Sequence, residues 1–139
     1  MQRTLALVKP DAYAAGHHGA IAAKIQDSGL RIVAMKSLQL TVAQAQGFYH
    51  VHKARPFFGD LCKFMTEGKI LAMVLEGDDA IARWRTLMGP TDATKAPKGS
   101  LRGDFGTSIE RNATHGSDAT DTAAYEIGFF FSGLELADL

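Results

Sequence analysis

Near its C-terminal end the chain reads Arg111-Asn112-Ala113-Thr114-His115-Gly116-Ser117-Asp118, an imidazole set among a guanidinium, an amide, a hydroxyl and a carboxylate. Histidine titrates near neutrality, so its neighbours decide its charge and tautomer. Gly116 leaves room for a group to approach the ring. Ser117 or Asp118 is expected to cap the element that follows. Taken alone, the stretch is equally well an N-cap with an incidental histidine before it. Cations elsewhere sharpen the question. Arg85 flanks the buried side of a helix whose apolar face is Ile81, Trp84 and Met88. A cation there needs a partner, either an internal carboxylate or a bound anion, because an unpaired buried charge is costly.

The elements that position these residues follow from periodicity. Leu5-Ala6-Leu7-Val8 is a buried strand that Pro10 stops, leaving Lys9 at its tip. Residues 12–19 read as turn, with His17 and His18 in it; adjacent side chains diverge, so a shared metal is not expected. Ile21, Ala22 and Ile25 recur at helical spacing up to Ser28-Gly29. Leu30, Ile32, Ala34, Leu38 and Leu40 alternate as a half-buried strand. Thr41-Val42-Ala43-Gln44 is a capping box for a helix running to about Lys53. His50 and His52 fall on different faces of it, which also argues against a metal. Arg55-Pro56 breaks the chain ahead of a helix with Phe58, Leu61, Phe64 and Met65 as its stripe, and Phe57 at its first turn. Ile70 to Leu75 is a continuous, fully buried strand. Asp78 or Asp79 then caps the helix that carries Arg83, Trp84 and Arg85; Arg83 points to water. From Gly89 to Arg111 no period holds, and the segment mixes Thr91, Ser100, Arg102, Asp104 and Phe105. So long an irregular stretch inside a compact domain is usually functional, and this composition favours an ordered binding loop. A short helix over about 117–124 and a last strand, Glu126 to Phe131, complete the pattern. Residues 132–139 form a tail with no catalytic cue.

This order predicts one domain over residues 1–139 of α+β class. The expected architecture is a ferredoxin-like sandwich: a four-stranded antiparallel sheet with helices on one face and a long binding loop. Charge is balanced, with 15 Lys and Arg against 15 Asp and Glu, so obligate nucleic-acid binding is not indicated. The single Cys62 suits a reducing compartment, and neither a signal core nor a membrane-length apolar run is present. The expected localisation is cytoplasmic. Glycine-rich phosphate-binding fingerprints are missing, and Gly103-Asp104-Phe105-Gly106 lacks the companion motifs of protein kinases.

Six segments in register resemble nucleoside diphosphate kinases over nearly the whole chain. They are Lys9-Pro10-Asp11, Tyr49-x-x-His52-Lys53-x-Arg55-Pro56-Phe57-Phe58-Gly59, Leu75-Glu76-Gly77, Arg85-x-x-Met88-Gly89-x-Thr91, Leu101-Arg102-x-Asp104-Phe105 and the stretch from Arg111 to Asp118. The resemblance implies ping-pong transfer of the terminal phosphate from a nucleoside triphosphate, mainly ATP, to a nucleoside diphosphate. His115 would be the nucleophile, attacking through Nδ1, with Glu126 and Ser117 orienting and polarising it. Lys9 and Tyr49 would steady the transferring phosphate, and Lys9 and Asn112 would meet the sugar hydroxyls. His52, Arg85, Thr91 and Arg102 would hold the phosphates. Phe57 would stack on the base with Ile109 against its other face, giving broad base and sugar tolerance. Mg²⁺ would bridge the phosphates, held mainly by nucleotide oxygens and water. The resemblance further implies a homo-oligomer, a dimer, tetramer or hexamer, with no membrane partner.

The chain departs from the family pattern at Tyr13, His17-His18, Gly103 and Tyr125, none of them in the chemistry. Two other classes remain in view. A non-catalytic ferredoxin-like module binding nucleotide or nucleic acid would leave His115 and Arg85 unexplained. A histidine phosphatase would need an additional acid and open water access, and a phosphocarrier a protein partner, not a base-stacking phenylalanine.

Overall fold

The computed structural model describes residues 1–137; Asp138 and Leu139 of the expected tail lie outside the described residues. Strand β1 (Gln2–Val8) is central, paired antiparallel with β3 (Ile70–Gly77) on one side and with β4 (Thr114–Gly116) on the other. Strand β2 (Arg31–Leu38) pairs with β3, giving the order β2-β3-β1-β4. Four antiparallel strands with helices packed on them make the expected ferredoxin-like sandwich.

Helices cover both faces of this sheet, not one. Leu5 and Leu7 of β1 pack with Phe48 of α3 (Val42–Phe48), with Phe64 and Met65 of α4 (Phe58–Met65) and with Phe130 of α7 (Thr120–Phe130). Ala6 and Val8 face the other way, onto Ala12 of α1 (Pro10–Ala14), Ile21 and Ile25 of α2 (His18–Asp27) and Trp84 and Met88 of α5 (Ala80–Met88). The unbroken apolar runs of β1 and β3 have this cause, since a strand covered on one face alone would alternate.

Local chemistry sets most element boundaries. Pro10 ends β1 and opens α1 at its first position, where a missing N–H costs nothing, so the expected turn at 12–19 is partly helix. The capping box before α3 is present in both directions, with Gln44 N–H donating to Thr41 Oγ1 and Thr41 N–H to Gln44 Oε1. That helix closes earlier than expected, in a 3₁₀ turn at His50–His52. Asp79 precedes α5 in a left-handed conformation and does not cap it; Gln2 Oε1 accepts from Ile81 N–H instead. Arg83 bonds the carbonyls of Asp78 and Ser28 and does not simply point to water.

The expected last strand is helix. Aromatic, β-prone residues fill 126–131, yet α7 runs through Phe130. As helix, that stretch puts Ile127 and Phe130 on the core side and turns Glu126 toward β4. The fourth strand is the short one carrying His115. The long irregular segment is ordered around a 3₁₀ turn (Ala93–Lys95) and helix α6 (Leu101–Phe105), which Ser100 caps through Gly103 N–H. A final short helix, α8, spans Gly133–Leu136.

Candidate active site

The histidine is carried on the sheet edge. His115 sits opposite Leu7 in the β1–β4 ladder, so its side chain leaves on the Leu7 face, beside α3 and α7. The rings of Phe48 and Tyr49 meet it edge-on, with centroids at 5.3 Å and 6.0 Å. Glu126 reaches across from α7, with Oε1 at 2.7 Å from His115 Nε2. The same oxygen accepts from the hydroxyl of Ser117 at 2.9 Å. A carboxylate can only accept, so Nε2 carries the proton and Nδ1 is left as the basic nitrogen. Among the described residues nothing hydrogen-bonds to Nδ1. The ring keeps 18 % of its side-chain surface open, so it is reachable.

Three backbone carbonyls of β4 are gripped from beneath. Arg102 donates to Thr114 O, Trp84 Nε1 to His115 O, and Arg85 to Gly116 O. A Cβ on Gly116 would come within 2.5 Å of the Trp84 ring and 2.6 Å of Met88. The missing side chain therefore makes room for the indole, and not for an approaching ligand as its place in the sequence suggested. Ser117 and Asp118 also do other work than the expected capping. Ser117 serves Glu126, Asp118 pairs with Arg85 at 2.7 Å, and Thr122 caps α7 by accepting from Ala119 N–H. Asp118 thus answers the question that Arg85 posed: its charged partner is a carboxylate.

Lys9 is no solvated strand end. It is 7 % exposed, and its ammonium donates to Asn112 Oδ1 at 2.8 Å, while Asn112 donates to the Thr91 carbonyl. Burial, with the Arg102 charge adding to it, lowers the Lys9 pKa from 10.5 to about 8. Arg102 is buried too, bridging the carbonyls of Gly89 and Thr114 with its Nε unpartnered. Burial and the neighbouring Arg85 charge lower its pKa to about 10. The charge of Arg102 thus acts on Lys9 and that of Arg85 on Arg102, so the three cations lie in one neighbourhood. The Tyr49 hydroxyl is buried without a partner among the described residues, and burial followed by the Glu126 charge keeps it protonated, its pKa pushed far up.

The remaining expected residues stand further out. The His52 ring lies 5.6 Å from that of Phe57, which is 47 % exposed. Ile109 is 63 % exposed and joined to none of the others by a hydrogen bond or ring contact among the described residues. Thr91 offers its carbonyl inward, but its hydroxyl is unused among the described residues. Among the described residues, no group of three or more His, Cys, Asp or Glu side chains gathers at one point.

Two residues of this site carry a role that periodicity does not disclose. Trp84 looks like core and is core, yet its N–H also holds the backbone of the histidine. Asp11 accepts from Ala113 N–H and so stabilises the left-handed turn (φ 71°) from which β4 starts. Its place directly after Lys9-Pro10 was the available signal.

A family model described as nucleoside diphosphate kinase matches residues 2–136. The chain belongs to the nucleoside diphosphate kinase family. It is 57 % identical to the nucleoside diphosphate kinase of Syntrophotalea carbinolica over 98 % of this chain and 99 % of that one. The Oleidesulfovibrio alaskensis enzyme is 55 % identical over 97 % of each chain. Among solved structures, the Aquifex aeolicus nucleoside diphosphate kinase superposes with a TM-score of 0.95 at 46 % identity, covering 98 % of this chain and 99 % of that one. The Halobacterium salinarum nucleoside diphosphate kinase, solved in complex with CDP, gives 0.94 at 40 % identity, covering 99 % and 92 %. The chain is accordingly a nucleoside diphosphate kinase, a phosphotransferase, built on the ferredoxin-like sandwich.

Proposed function

We propose that this nucleoside diphosphate kinase works by a ping-pong exchange through a phosphohistidine on His115. The observation that carries the reading is the locked imidazole: Glu126 holds Nε2, leaving Nδ1 as the basic nitrogen, while Arg102 and Arg85 bond the backbone carbonyls on either side of the histidine. Nδ1 attacks the terminal phosphorus of a triphosphate, mainly ATP. The bond from phosphorus to its bridging oxygen breaks, and the diphosphate leaves. A second diphosphate then takes the phosphoryl group by the reverse step, returning the lone pair to Nδ1. Glu126 shares the Nε2 proton throughout, so no proton need leave the site, and Ser117 fixes the carboxylate in place. Phosphoryl transfer asks for alignment and charge compensation. Arg102, Arg85 and Lys9 supply the charge, and the Tyr49 hydroxyl, kept neutral by burial, is a donor awaiting an acceptor.

In this reading Asn112 and Lys9 meet the sugar hydroxyls, His52 and Thr91 the phosphates, and Phe57 with Ile109 the base. Stacking on a phenyl face reads no base edge, so purines and pyrimidines should serve alike. Mg²⁺ enters as part of the substrate, on nucleotide oxygens and water, the manner in which this ion usually joins phosphates. We read residues 1–139 as one cytoplasmic domain acting as a homo-oligomer without membrane or obligate nucleic-acid partners. A buried, free Cys62 and the balanced charge support that placement. Among the described residues, no helix is long and apolar enough to cross a membrane.

The test is incubation with ATP labelled on the terminal phosphate, followed by a chase with GDP. Acid-labile label that moves to GDP is the expected result, and His115→Gln should abolish it while leaving the fold intact. Label released as free phosphate would make the protein a phosphatase. No label at all would return it to the non-catalytic binding module.

A further inference from the structure

The two arginines beside the histidine hold their charge differently. Arg102 is buried and spent on two carbonyls, so it cannot move without breaking both bonds. Arg85 has a side chain 42 % exposed, and its charged partner is Asp118, 73 % exposed, at 2.7 Å. Asp118 makes no other hydrogen bond among the described residues. The pair borders an open cleft of about 500 Å³, lined also by Gln2, Ile81, Ala82 and Thr120, into which the carboxylate has room to turn. Of the other nearby carboxylates, Glu126 is committed to His115 and Ser117 and Asp11 to the Ala113 turn, while Asp79 lines the same cleft and takes no hydrogen bond from Arg85 among the described residues.

We propose that Asp118 is a tethered stand-in for substrate phosphate, occupying Arg85 when the site is empty and yielding it when a nucleotide arrives. This rests on the phosphotransfer reading above. A guanidinium fork accepts a carboxylate and a phosphate in the same geometry, so the exchange requires no rebuilding of the site. An exposed ion pair is weak, so Asp118 is displaced at little cost. Its benefit lies in the empty state, where Arg85 and Arg102 would otherwise repel each other without compensation. It also weakens the hold on a departing diphosphate, because the carboxylate is waiting to reclaim Arg85. Asp118 is thereby a positioning residue that sets nucleotide affinity without touching the reacting atoms.

Calorimetric titration of the full chain with ADP tests this. Asp118→Asn is expected to bind ADP about two- to fivefold more tightly, the range an exposed ion pair supports, and to lower KM for the diphosphate by a similar factor. Asp118→Glu should return both toward wild type. In an Arg85→Ala background the same Asp118→Asn change should move Kd by less than about twofold, since the residue to be released is gone. Unchanged or weaker binding by Asp118→Asn would overturn the proposal. So would equal tightening in both backgrounds, which would signal a general charge effect. Labelling of wild-type His115 by ATP separates the two levels. Label without tightening refutes only the role of Asp118, and no label refutes the phosphotransfer reading beneath it.

Discussion

Replacing Lys9 by methionine should stabilise the nucleotide-free protein while removing its activity. The lysine is 7 % exposed and lies beside Arg102, and its pKa falls from 10.5 to about 8. Holding that proton in the folded state costs about 3 kcal/mol at pH 7. Methionine keeps the length and drops the charge, but it leaves Asn112 Oδ1 without the 2.8 Å hydrogen bond. An orphaned acceptor costs roughly 1–3 kcal/mol. The net is a gain of about 1 kcal/mol, or roughly 4 °C in Tm for a chain of this size. The pH dependence carries the sign. Below pH 8 both folded and unfolded lysine are protonated, and the whole penalty is present. Between about 8 and 10.5 the unfolded chain binds the proton that the folded one has released, so wild-type stability rises with pH. By pH 10 the penalty has shrunk to about 1 kcal/mol, less than the roughly 2 kcal/mol lost with the hydrogen bond, so the sign should reverse and the methionine variant should be the less stable by about 1 kcal/mol. Scanning calorimetry at fixed protein concentration, at pH 7 and pH 10, measures both. ATP should raise the Tm of wild type far more than that of the variant, and turnover of the variant should fall about 100-fold. A variant that melts below wild type at pH 7, or a gap independent of pH, would refute the reasoning.

Tyr49→Phe deletes a buried hydroxyl without a partner, so Tm should hold or rise slightly while turnover drops about tenfold; a clear loss of stability would mean that the hydroxyl is satisfied in solution. Glu126→Gln keeps the shape but no longer holds the Nε2 proton with a charge, and phosphoenzyme formation followed by rapid quench should slow by about 10- to 100-fold. A near-wild-type rate would place the orientation of the ring elsewhere. Gly116→Ala forces a methyl against the buried Trp84 ring and should cost about 1–3 kcal/mol in urea unfolding, with a shift in indole fluorescence as the readout.

Much of this site is readable from residue order because its parts lie at element ends, where local chemistry is plain. Lys9 before a proline, Thr41 with Gln44, and the Arg55-Pro56 break each specify a boundary without help from the rest of the chain. The last helix is the counterexample. Residues 126–131 are aromatic enough to read as strand, and only the demand for Glu126 beside His115 and Phe130 in the core makes them helical, a tertiary override of propensity. The three-residue strand of the histidine is too short to show a period at all. Cover on both faces of the sheet was visible in the unbroken β1 and β3 runs, but the expectation of one helical layer did not use it. Roles that pass through backbone atoms stayed hidden, because an indole bonding a carbonyl leaves the same apolar spacing as any core tryptophan.

Trp84 and Arg85 are neighbours on α5 and hold neighbouring carbonyls of β4, those of His115 and Gly116. A shift of that helix is therefore passed to the backbone of the nucleophile through both bonds, so the strand that carries the imidazole and the helix that carries the cation are displaced together. Thermal motion that would misalign a site assembled from independent loops is here converted into a shared displacement, which the bound nucleotide can follow.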